Sequence, residues 1–136
     1  SEGGVQVTIH EMINTIYSRW TDAIKGKVTG YSMENSTTVT KLPYATMYFT
    51  GVPGSDWDLK GDEAAVTPTA QIDIYTKGQK ALTQAYEIDE LSHACLTKIG
   101  FRRSMGPELI QSTDPSIKRL TSRYTRIVGY GDSLEI

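Results

Sequence analysis

Ala70-Gln71-Ile72-Asp73-Ile74-Tyr75-Thr76-Lys77-Gly78 is the stretch where one hydrophobic period gives way to another. Before Gly78, Ile72 and Ile74 alternate with Asp73 and Tyr75, the period of two that sends successive side chains to opposite faces of a strand. After it, Ala81 or Leu82, Ala85, Ile88, Leu91, Cys95 and Ile99 recur at the spacing of one helical face. The pattern predicts a strand over Ala65–Tyr75 and a helix over Gln79–Ile99, ended by Gly100. Pro68 has no amide hydrogen to give a ladder, so it belongs at an edge or bulge.

Towards the N-terminus, Ile9, Met12, Ile13, Ile16, Trp20 and Ile24 make a second apolar stripe, predicting a helix over Thr8–Ile24. Thr8 and Glu11 have the spacing of a capping box. Lys27–Leu42 is rich in Ser, Thr and Gly and reads as a loop with room for a short strand. Tyr44–Thr50 is aromatic and β-branched, which favours a strand paired with Ala65–Tyr75 as a hairpin. Beyond the second helix, Phe101–Met105 reads as a third strand and Gly106–Pro115 as a loop. Ile117–Tyr130 reads as a fourth strand, whose uneven phase at Ile127 suggests a bulge. The order α-β-β-α-β-β predicts an α+β, two-layer domain: a four-stranded, mostly antiparallel sheet packed by two helices.

The 136 residues suit one domain, taken as residues 5–130, with 1–4 read as a tag remnant and 131–136 as a flexible tail. Lys and Arg number 14 against 16 Asp and Glu, which argues against a generally basic nucleic-acid binder. No apolar run approaches the length of a membrane span, and no signal peptide is expected. A single cysteine, Cys95, excludes an internal disulfide and a multi-cysteine zinc site.

Few residues offer chemistry. No Gly-x-Ser-x-Gly elbow occurs. Cys95 lies on the apolar stripe and reads as a small core residue; His93 and the pair Asp89-Glu90 read as the solvated side of the same helix. The segment Asp56–Asp62 starts like a calcium loop, but Lys60 stands at the fifth position and Thr67 falls where a bidentate Glu should close the cage. Gly129-Tyr130-Gly131 has no following helix to bind phosphate. No catalytic residue, cofactor or metal site is therefore expected.

Two features point to partners instead. Trp57, between Asp56 and Asp58, either folds back onto the sheet or anchors an interface. Arg102, Arg103, Lys118, Arg119, Arg123 and Arg126 cluster late in the chain. The bland reading, a charged strand edge that blocks aggregation, comes ahead of a basic patch for an acidic partner, because interleaved aromatics are few. Asp56, Trp57 and Asp58 are the candidate contacts for one partner. Arg119, Arg123 and Arg126 are the candidates for another, or for subunit pairing.

The chain resembles the small tail-terminator (tail-completion) proteins of long-tailed, lambda-like bacteriophages. The resemblance spans about Ile9 to Val128. It is carried by the helix Ile9–Ile24, by Leu42-Pro43-Tyr44-Ala45, and by Ala70–Gly78. Ile99-Gly100-Phe101-Arg102-Arg103 and Arg119-Leu120-Thr121-Ser122-Arg123-Tyr124 complete it, in that order. It implies a non-enzymatic virion protein that forms a ring, typically a hexamer, at the head-proximal end of the tail. That ring stops growth of the tube and offers a docking surface to the head. The implied partners are further copies of the chain, the major tail tube protein and the head connector or neck protein. DNA is met only in passage through the channel. The implied places are the virion and, during assembly, the host cytoplasm, with no membrane contact. The alternatives are a neighbouring head–tail joining ring, a small ligand-binding or enzyme domain using His93, Cys95 or the carboxylates, and a nucleic-acid binder using the late arginines.

Overall fold

The structure, a computed structural model, describes residues 9–33, 41–50 and 65–129. Its elements in chain order are α1 (Ile9–Ile24), β1 (Gly30–Ser32), β2 (Tyr44–Thr50), β3 (Ala65–Val66), β4 (Thr69–Lys77), α2 (Ala81–Lys98), β5 (Arg102–Ile110), β6 (Ile117–Thr125) and β7 (Val128–Gly129). Trp57, Asp56, Asp58, Thr8 and the two chain ends lie outside the described residues.

The α+β class and the two helices agree with the sequence reading, but the sheet differs in detail. It has five strands in the order β1-β2-β4-β6-β5, and it is mixed. The short strand β1 adds to β2 in parallel, while the other three pairings are antiparallel. The amide of Thr29 donates to the carbonyl of Pro43 at 2.7 Å and its hydroxyl to that of Leu42 at 3.2 Å, which draws β1 alongside β2. The hairpin of β2 with β4 is present, in the register Ala45↔Ile74, Met47↔Ile72.

Two expected strands are divided. The one predicted over Ala65–Tyr75 breaks at Thr67-Pro68, and β3 pairs instead with β7 in a separate two-stranded ladder. The missing amide of Pro68 is the reason the long ladder stops there. The strand predicted over Ile117–Tyr130 gives β6 and then β7, and the irregular register lies in β5 rather than β6. The stretch Gly106–Ile110, expected as part of a loop, is strand. Gly106 takes a φ of +92°, a conformation open to glycine, and register shifts on either side of Met105 let the chain stay beside β6. Among the described residues β5 pairs with β6 alone, so Pro107 faces no ladder on its far side.

Both helices pack on one face of the sheet. The core joins Met12, Ile16, Trp20 and Ile24 of α1 to Ala85, Ile88 and Leu96 of α2 and to Ala45, Met47, Ile72, Ile74, Leu120 and Tyr124 of the strands. Each fully buried Ile or Leu there contributes about 1.5–3 kcal/mol. Cys95 packs against this cluster, with burial pushing its thiol pKa up. The Trp20 indole N–H donates to Ser92 Oγ at 2.8 Å, which satisfies a buried donor and ties α1 to α2. Thr76 Oγ1 donates to the carbonyl of Ala81 at 2.6 Å and fixes the turn from β4 into α2.

Asp89 and His93 correct the expected solvated helix side. Asp89 is 5% exposed and faces the sheet. It can be buried because Arg103 supplies an ion pair at 3.0 Å and Ser122 Oγ a hydrogen bond at 3.1 Å. His93 Nδ1 lies 3.1 Å from the Tyr124 hydroxyl, which also accepts from Arg103 Nε at 3.0 Å. Burial, acting against Arg103, pushes the Tyr124 phenol up to about 12. This network pins α2 to β5 and β6.

Candidate interaction surface

The pleat of the three central strands sends polar side chains to the face opposite the helices. In β4 these are Gln71, Asp73 and Tyr75. The antiparallel register sets them against Arg123, Thr121 and Arg119 of β6 on one side. On the other side they meet Tyr48, Thr46 and Tyr44 of β2. The result is a grid of three by three polar positions, one strand per column.

Asp73 is its centre and is fully buried. Its carboxylate accepts from Thr121 Oγ1 at 2.6 Å and from Arg119 Nη2 at 3.3 Å. The Gln71 amide N–H lies 3.4 Å from both of its oxygens. The Gln71 amide oxygen in turn accepts from Arg123 Nε at 2.9 Å. A chain of contacts thus runs from Arg123 through Gln71 and Asp73 to Thr121 and Arg119. Every one of these hydrogen bonds stays within the grid. Two buried polar atoms of the face, Thr46 Oγ1 and Arg119 Nε, have no hydrogen-bond partner.

The electrostatics follow from this arrangement. The Arg119 guanidinium lies 5.8 Å from the centroid of the Tyr75 ring. Burial raises the pKa of Tyr75 and Tyr48, Asp73 adds to the rise, and Arg119 opposes it. Both phenols therefore stay neutral donors at ordinary pH. Asp73, engaged by these donors, holds Thr121 and Arg119 in place. What reaches the surface is a set of guanidinium and phenol groups held over a buried carboxylate. Such groups recognise a polar, wet partner surface by hydrogen bonds.

The structure brings together two of the sequence-derived candidates, Arg119 and Arg123. Arg126 stands apart, beyond the end of β6, with its guanidinium next to Gly100. The late basic residues do not form one patch. Arg103 turns into the helix layer to meet Asp89, and Arg119 is paired with Asp73. Two of the charges that a nucleic-acid surface would need are thus already neutralised. Gln71, Asp73, Thr46 and Thr121 did not stand out in the sequence. The available signal was two polar residues, Gln71 and Asp73, flanking Ile72 in the middle of the strand.

Among the described residues, no three His, Cys, Asp or Glu side chains are grouped to hold a metal ion. No described helix is long and apolar enough to cross a membrane. No known protein family matches the chain, and no curated protein matches it.

Proposed function

We propose that this chain is a structural subunit of a long-tailed bacteriophage virion that caps the head-proximal end of the tail tube by forming a ring. Its partners are further copies of itself, the last ring of tube protein and the connector of the head. The mechanism is binding. One face of the ring matches the end of the tube, the other face does not reproduce that end, and addition of tube subunits stops.

The observation that supports this reading best is the polar grid. It is a preorganised face of a two-layer domain, with its hydrogen bonds directed sideways along the sheet. None of those bonds runs to either helix. A surface rich in Tyr, Thr and Arg suits contacts that must form late and reversibly, while the subunit stays folded as a monomer. The near-neutral composition, with a formal charge of -2, agrees with a subunit that waits in solution for its template.

The test is tube growth. Protein added to polymerising tail tubes is expected to arrest elongation, and Arg123→Glu is expected to weaken the arrest while leaving the fold intact. Tubes that elongate unchanged in the presence of the wild-type chain overturn the reading.

A further inference from the structure

We draw no further inference here: the strongest candidate, the apolar groove at the turn of the β5–β6 hairpin lined by Leu109, Ile110, Pro115 and Ile117, carries nothing, because nothing in the structure shows what covers it.

Discussion

Replacing Asp73 by alanine tests the polar grid at its centre. The carboxylate is fully buried and engages Thr121 at 2.6 Å and Arg119 at 3.3 Å, with Gln71 at the edge of hydrogen-bonding distance. Its loss leaves the Thr121 hydroxyl, itself 3% exposed, without its acceptor. An unsatisfied buried hydroxyl costs about 1–3 kcal/mol. Arg119 loses its counter-charge, and breaking a buried pair from one side costs about 3–5 kcal/mol. Its side chain is 30% exposed, so water recovers part of that loss. The expected total is about 3 kcal/mol, out of the roughly 5–15 kcal/mol that hold a domain together. In urea denaturation, with a slope of about 1–3 kcal/mol per molar, the midpoint should fall by roughly 1–3 M with the slope unchanged. Asp73→Asn keeps one acceptor oxygen and should lose about half as much. A double-mutant cycle with Arg119→Met should return a coupling of at least about 1 kcal/mol. A loss below about 1 kcal/mol for Asp73→Ala, with no coupling to Arg119, refutes the view that this carboxylate organises the face.

Further outcomes follow from the same geometry. Tyr124→Phe should cost about 1–2 kcal/mol in thermal or urea unfolding, because Arg103 and His93 both lose the hydroxyl they meet. In spectrophotometric titration of the wild type, one tyrosine should ionise only at about 12. Since its folded value lies above its unfolded value of 10.0, the stability tied to Tyr124 is intact below pH 10 and is lost as the pH rises through about 12. Gly106→Ala should destabilise by more than about 1 kcal/mol, read as a drop in midpoint. A Cβ there meets the Thr121 carbonyl oxygen and stands 2.9 Å from Ser122 Cα, at a φ of +92°. Trp20→Phe should cost about 3 kcal/mol or less and should show a smaller loss in a Ser92→Ala background, where the indole N–H already lacks its partner.

Much of the fold was readable from residue spacing, and the misses have identifiable causes. The two helices follow from stripes of large apolar residues, and α1 ends at Ile24 as predicted. The β2–β4 hairpin follows from the aromatic and β-branched run Tyr44–Thr50 and from the alternation of Ile72 and Ile74 with Asp73 and Tyr75. The short strand allowed for within Lys27–Leu42 is β1, but its place and partner were not legible because three residues carry no period of their own, and the backbone bond from Thr29 to Pro43 places them. The length of β5 was hidden by Gly106-Pro107, a pair that normally signals a turn but is tolerated on an edge strand with shifted register. Asp89 shows a deeper limit. On a helical wheel its neighbours Glu87 and Glu90 are exposed, and its inward position depends on Arg103 and Ser122, which are distant in sequence. The grid was partly legible, since Arg119 and Arg123 stood out as charges on one strand. What they touch depends on the register between β4 and β6, and a one-residue slip would have sent them to the helix side.

The central claim, that this chain acts by closing into a ring with its own copies, is met most directly by electron micrographs of the purified wild-type protein at high concentration and on tail tubes. Closed annuli of uniform diameter with an open channel, seated at one end of each tube, are the expected images. Single particles without a channel under every condition, and bare tube ends beside them, would contradict it.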